Sequence, residues 1–417
     1  MRGAATPTAP RVVVTGLGVV SAWGWGVGPF WAGVCTGRPA IGDFQRFDHR
    51  LFRTHLAAEV PAPPAELPGR HPGWRRLSAA DRFAVAAAAE ALAAAGLDGA
   101  GGGALADVGV FFSSSTGGMA EGEEFFARFD ESARRHSRLS PLAAHPVSSP
   151  GEAVARRFGI GGPVATVSSA CASGALALGQ ATAALRAGEV AVAVAGGADS
   201  LCRLTYGGFN ALRSVDEAPC RPFRASRAGL SIGEGGAALV VETLPSALAR
   251  GARPLAELAG AGASADGYHM TAPDPAGDGA VRAMAAALVD AGLAPEAVDF
   301  VNAHGTGTPL NDVAEWNALA TVFGERAGRL PITSTKGSIG HLLGSAGAAE
   351  AVATVLCLAH GAVHPTPADD EGVDPATPVN LVTGRPLPLP GARVALSLNL
   401  AFGGCNAAVV FTRWDGA

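Results

Sequence analysis

Cys171 stands in VSSACASG, after a β-branched run and at the start of a small-residue helix. That position suits a nucleophile. The N–H groups and macrodipole of a helix N-terminus favour a thiolate, by about 0.3–2 kcal/mol, and lower the pKa of the thiol. Ser168, Ser169, Ala170, Ala172, Ser173 and Gly174 are small and leave a bulky thioester room to approach. The competing reading is a packed thiol, the usual fate of a free cysteine; Cys171 by itself leaves both open. Cys35, Cys202, Cys220, Cys357 and Cys405 lack this setting and read as packing residues.

Two histidines have comparable surroundings. His304 lies in NAHGTGTP, at the end of an apolar run, where the C-terminal end of an α/β strand faces the usual site edge. His341 lies in STKGSIGHLLGSAGAAE, five residues after Lys336. A lone histidine is more often structural, but two on Gly/Ser/Thr loops in matching segments shift that balance. Imidazoles can hydrogen-bond a developing oxyanion at neutral pH. Neither histidine has metal-ligand spacing such as H-x-x-x-H, and no C-x-x-C pair occurs, so no metal is expected. Lys336 is the only lysine among 31 Lys and Arg residues. Either it survived by chance or its site needs an ammonium.

The elements that must hold these residues repeat. An alanine-rich helix around Asp81–Ala95, an A-G-L stop and a strand over 108–113 lead into SSSTGG. The stretch 281–308 runs the same way, through VRAMAAALVDAGL and a strand at 298–303 into HGTGT. Residues 164–198 and 331–363 again match as strand, small-residue loop and helix. This predicts an internal duplication: two α/β halves, 1–250 and 251–417, with largely parallel sheets covered by helices. The first half carries Cys171 and the second both histidines. The charged stretch 119–150 breaks the rhythm as an inserted cap, with Glu121, Glu123 and Glu124 expected on a solvated face. ALSLNLAFGGCNAAVVF reads as a C-terminal hairpin around Gly403–Gly404.

Four ordered motifs, VSSACASG, VNAHGTGTP, TSTKGSIGHLLGSAGAAE and LAFGGCNAA, resemble the elongating β-ketoacyl-acyl-carrier-protein synthases of fatty acid and type II polyketide synthesis. VVVTGLGVVSAWG and CRPFRASRAGLSIGEGGAALVVE extend the likeness over nearly the whole chain. The resemblance implies the thiolase-like fold, with duplicated halves stacked in five layers, α-β-α-β-α. It implies a decarboxylative Claisen condensation in which Cys171 carries the acyl group and His304 and His341 bind the thioester oxygen of malonyl-ACP. Lys336 and Glu350 match the family's lysine and its partner carboxylate. Phe402 matches the gate residue, which with Cys171 supplies the oxyanion-hole N–H groups, and Thr306 and Thr308 match the contacts to the pantetheine arm. The implied partners are an acyl carrier protein and a second subunit, identical or chain-length-factor-like, and no cofactor is bound permanently. The 119–150 segment matches the region lining the deep end of the acyl pocket.

The chain departs from the family pattern at Leu400 and Ala401, where phenylalanine and glycine are usual, and at Arg224, where R-P-F-D is usual. These bear on loop packing and acyl selectivity, and tilt the reading towards a polyketide pathway over fatty acid elongation. A thiolase would pair Cys171 and one histidine with a second cysteine, and a priming synthase would place asparagine at His341. A non-catalytic chain-length subunit would lack Cys171. The net charge of −5 shows no basic stripe for nucleic acid, the scattered cysteines suit a reducing compartment, and no membrane anchor is read, so a cytoplasmic location is expected.

Overall fold

The β-branched runs become strands of one large sheet in the computed structural model, which describes residues 9–67, 69–98, 105–131, 139–367 and 371–416. Its main strands in the first half are β1 (Val12–Ser21), β2 (Gly109–Ser113), β3 (Val164–Val167), β4 (Val192–Asp199) and β5 (Gly235–Thr243). The second half supplies β6 (Ala256–Ala265), β7 (Phe300–Asn302), β8 (Pro331–Thr333), β9 (Val394–Leu400) and β10 (Cys405–Arg413). Their spatial order is β3-β2-β4-β5-β1 and then β8-β7-β9-β10-β6 reversed about a shared edge, so one permutation is used twice. The halves join where Val13 and Val14 of β1 pair with Glu257 and Ala256 of β6.

The sheet is mixed, which corrects the expectation of largely parallel strands. β2 runs parallel to β3 and β4, and β7 to β8 and β9. The β4–β5, β1–β5, β9–β10 and β6–β10 pairs are antiparallel. A short turn between β9 and β10 permits only an antiparallel pair. The excursion after β4 returns to begin β5 opposite Asp199, at the end where β4 finishes.

The helices sort into layers. The longer ones are α1 (Ala79–Ala94), α2 (Met119–Glu131), α3 (Ser149–Phe158), α4 (Ser173–Ala187), α5 (Arg203–Ala211), α6 (Asp278–Asp290), α7 (Pro309–Phe323) and α8 (Ala346–His360). α1 and α3 cover the outer face of the first half, and α6 with α7 that of the second. α4 and α8 lie between and touch strands of both halves, which completes the five layers. Separate apolar clusters fill the spaces beneath each layer. The stretch Leu343–His360 is apolar enough to cross a membrane, with mean hydropathy 1.3 over 18 residues, yet 89% of it is buried in the protein. Its composition serves the central layer.

Glycine lets the two central helices meet at their N-termini. A Cβ on Gly174 would come within 2.5 Å of the Ala348 nitrogen, and one on Gly347 within 2.6 Å of the Ala175 nitrogen. Only a residue without Cβ permits that approach. The loop carrying Cys171, just before α4, is thereby brought against the loop carrying His341, just before α8.

In the 119–150 segment, α2 and a helical turn at Ser140–Ala144 are described, while 132–138 lie outside the described residues. Glu124 is exposed, as expected, but Glu121 and Glu123 do not form a solvated face. Glu121 Oε1 accepts the Ala79 N–H at 2.7 Å at the start of α1. Glu123 accepts the N–H groups of Arg203 and Leu204, at 2.8 and 2.7 Å, at the start of α5. Unpaired donors at a helix N-terminus attract carboxylates, and that outweighs solvation here.

Candidate active site

Cys171 occupies the sharp turn between β3 and α4. Ala170 takes a positive φ of 46°, a conformation that costs a residue with a Cβ about 1–3 kcal/mol. The turn is pinned from within: Ser173 Oγ accepts the Ser169 N–H at 2.7 Å and donates to the Ala170 carbonyl at 2.6 Å. Cys171 is 8% exposed. Burial pushes its thiol up to about 11, while the Lys336 charge and the Phe402 N–H pull it down. The expected lowering of the thiol pKa is therefore corrected. The favourable charges are present, but loss of water outweighs them.

His304 follows β7, and its loop is held by a carboxylate that the sequence reading did not select. Glu315 of α7 accepts the His304 N–H at 2.6 Å and the Gly305 N–H at 2.8 Å. Burial, and Asp312 nearby, push Glu315 up to about 7. The His341 backbone is clasped by the 231–233 segment, donating to the Ser231 carbonyl at 2.7 Å and accepting the Gly233 N–H at 2.9 Å. The Leu343 N–H donates to His341 Nδ1 at 3.0 Å, with Leu343 at φ 54°. This contact fixes the tautomer: the ring proton sits on Nε2, which is buried without a partner among the described residues, as is His304 Nδ1.

The structure brings the three chemistry-bearing residues together. Cys171 Sγ and one nitrogen of each imidazole lie within 4.8 Å of one another. The rings meet edge to face, with centroids 5.4 Å apart. Burial, and then the Lys336 charge, hold both histidines well below the ordinary imidazole pKa, so both are neutral near pH 7. A Cys-His-His cluster of this size could suit a cation, but the His341 tautomer opposes it. A nitrogen that carries a proton donates a hydrogen bond and is not a ligand. What the arrangement offers is a sulfur nucleophile beside neutral donors in a site of low polarity.

Lys336 and Glu350 are both buried, and Lys336 Nζ is ion-paired to Glu350 Oε1. Asn399 of β9 donates to Glu350 Oε2 at 2.6 Å. The pair thus ties the His341 loop to α8 and to the end of the sheet. Thr306, Thr308 and Phe402 line one cavity of about 350 Å³ with Cys171, His304 and His341. Thr306 is 4% exposed rather than on an open loop, because it packs beside Asp312 and shares a 2.9 Å hydrogen bond with the half-buried Thr308. Phe402 is half-buried, and its ring lies 5.7 Å from that of Phe209 on α5.

The departures fall where they bear on this cavity. Leu400 and Ala401 belong to its wall. Arg224 is buried and donates to the Glu371 carbonyl, and its backbone pairs with Val373, so the reversed charge fastens the 371–373 segment. None of the described residues of 119–150 lines the cavity, and 132–138, which share the expectation that this segment forms its deep end, lie outside the described residues. Asp312, Glu315, Asn399 and Phe209 were missed from sequence. The first two had a signal, since Asp312 and Glu315 sit three apart and share the buried face of α7 with Ala318 and Leu319.

Comparison with known proteins agrees with this geometry. Residues 9–247 match the beta-ketoacyl synthase N-terminal domain and residues 255–368 its C-terminal domain. The chain is 35% identical over 412 residues to 3-oxoacyl-[acyl-carrier-protein] synthase 2 of Staphylococcus aureus strain N315, covering 97% of this chain and 99% of that protein. The solved ishigamide ketosynthase/chain length factor superposes with TM-score 0.90 at 33% identity, over 98% of this chain and all (100%) of the other. A type II PKS ketosynthase, solved with its acyl-carrier protein and bound to the hexaketide, gives TM-score 0.89 at 30% identity, over 98% and 100%. The chain therefore belongs to the β-ketoacyl synthase family, acyltransferases that form carbon–carbon bonds.

Proposed function

We propose that the enzyme condenses an acyl group held on Cys171 with a malonyl unit delivered by an acyl carrier protein, as the ketosynthase of a type II polyketide pathway. The observation that carries this reading is the convergence of Cys171 Sγ with two neutral, buried imidazoles on one cavity. In the first step a carbon–sulfur bond forms to Cys171, and the carrier thiol leaves with the proton the cysteine gives up. Malonyl-carrier then binds along Thr306 and Thr308 and loses carbon dioxide, while His304 and His341 hold the enolate oxygen. The enolate carbon attacks the acyl-Cys171 carbonyl. The N–H groups of Cys171 and Phe402 hold the resulting oxyanion, and collapse expels the Cys171 thiolate and releases the β-ketoacyl product. Lys336 and Glu350 position the loops and their field and transfer no proton.

Structural likeness to the ishigamide ketosynthase/chain length factor and to the type II PKS ketosynthase supports the pathway, and likeness to 3-oxoacyl-[acyl-carrier-protein] synthase 2 supports fatty acid elongation as the second reading. The retained Cys171 speaks against a non-catalytic chain-length role. A carrier protein as partner is supported by the solved ketosynthase complex. A second subunit is supported by β3, which among the described residues pairs only with β2 and leaves Val164 42% exposed at a sheet edge. The division into halves near residue 250 is supported by the repeated strand order, and a cytoplasmic location by the unpaired cysteines. Reconstitution with acyl- and malonyl-carrier proteins tests the reading. Poly-β-keto products that require a chain-length-factor-like subunit are expected. A single two-carbon extension by the chain alone would favour fatty acid elongation, and no product under either condition would overturn the condensation.

A further inference from the structure

One wall of the cavity is a helix held in place from outside it. α5 carries Phe209, whose ring packs 5.7 Å from Phe402, and the Phe402 N–H in turn faces the Cys171 sulfur. The N-terminus of α5 is tied by the two oxygens of Glu123, which accept the Arg203 and Leu204 N–H groups at 2.8 and 2.7 Å. Glu123 belongs to α2 and does not touch the cavity. The opposite flank of α5 is fixed separately. The Tyr206 hydroxyl lies 3.0 Å from the Thr54 carbonyl and 3.1 Å from that of Leu56, and Asn210 Oδ1 accepts the Thr54 N–H at 3.1 Å. Without Glu123, α5 keeps the ties around Tyr206 and loses those at Arg203 and Leu204. It can then pivot on Tyr206, and Phe209, three residues further on, moves with it.

We propose that Glu123 is a positioning residue for acyl-chain selectivity: by clamping α5 it holds Phe209 against Phe402 and so sets which acyl chains reach Cys171. This rests on the acyl-Cys171 reading above. The residue is reached neither by substrate nor by the nucleophile, so its effect passes through Phe209.

The test compares kcat/KM for acylation of Cys171 from an acetyl- to palmitoyl-carrier series in wild type, Glu123→Ala and Glu123→Gln. The long-to-short ratio is expected to change by roughly three- to thirtyfold in Glu123→Ala, the range set by losing a helix cap. Glu123→Gln, which keeps one acceptor, is expected to fall between. In a Phe209→Ala background the Glu123→Ala substitution is expected to leave the ratio unmoved. A uniform fall across the series with an unchanged ratio overturns the inference, because that is what mere loss of folded enzyme produces. A full change of ratio that persists in the Phe209→Ala background overturns it too. Wild type that accepts no acyl group from any carrier brings down the acyl-Cys171 reading and this one with it.

Discussion

Replacing His304 or His341 by alanine is expected to slow condensation by about 10²–10³-fold, the loss usual for one oxyanion donor. Acylation of Cys171 is expected to persist in both variants. Both rings are prepared for this role. Leu343 N–H occupies His341 Nδ1, so the proton must sit on Nε2, which no group among the described residues uses. His304 likewise has a buried nitrogen with no partner. Leaving such groups unpaired is costly unless something arrives to use them. In the proposed reaction the enolate oxygen would accept the His341 Nε2–H, with His304 beside it, as its charge develops in surroundings where hydrogen bonds are strong.

The same burial fixes the pH response. Burial and Lys336 hold both imidazoles well below 6.5. They are therefore neutral at pH 8 and stay neutral as pH falls through 6.5, the ordinary histidine value. Single-turnover condensation of pre-acylated enzyme should show no loss from histidine protonation across that range. A variant that condenses as fast as wild type, or a wild-type rate that halves near the ordinary imidazole pKa, would contradict the assignment.

The second large effect concerns stability. Lys336→Ala is expected to cost about 3–5 kcal/mol, because Glu350 would keep a buried carboxylate with its ion partner gone. Asn399 alone would remain to answer it. The double variant Lys336→Met with Glu350→Leu is expected to lie closer to wild type, since it removes both charges and fills the space. Denaturant midpoints read the difference. Lys336 also pulls the Cys171 thiol down from where burial alone would place it. Its loss should therefore slow alkylation of Cys171 by iodoacetamide as well. A single variant as stable as wild type would show that the pair is not the tie between the His341 loop and α8.

Much of this was legible in the chain. Cys171, His304 and His341 stood out by their small-residue loops and Lys336 as the sole lysine, their roles came from the family resemblance, and the structure brings Cys171 together with both histidines and within reach of the Lys336 charge. The duplication was legible because each half repeats helix, strand and loop in the same order. What escaped was set by tertiary contact. The antiparallel pairing of β4 with β5 depends on where a long excursion returns, and no local periodicity encodes that. The raised thiol pKa of Cys171 follows from burial by both halves, whereas the sequence displays only the helix start. Glu121 and Glu123 look like solvent-facing acids because their partners, the starts of α1 and α5, are distant in the chain. Asn399 was passed over for the same reason: its partner Glu350 is 49 residues away.

In the proposed reaction Cys171 carries the acyl group throughout. Intact-protein mass after incubation with acyl-carrier proteins of several chain lengths, alone and with a chain-length-factor-like subunit, tests it most directly. A single acyl adduct is expected on wild type and none on Cys171→Ala. An adduct that survives in Cys171→Ala, or no adduct on wild type with any carrier under either condition, would contradict it.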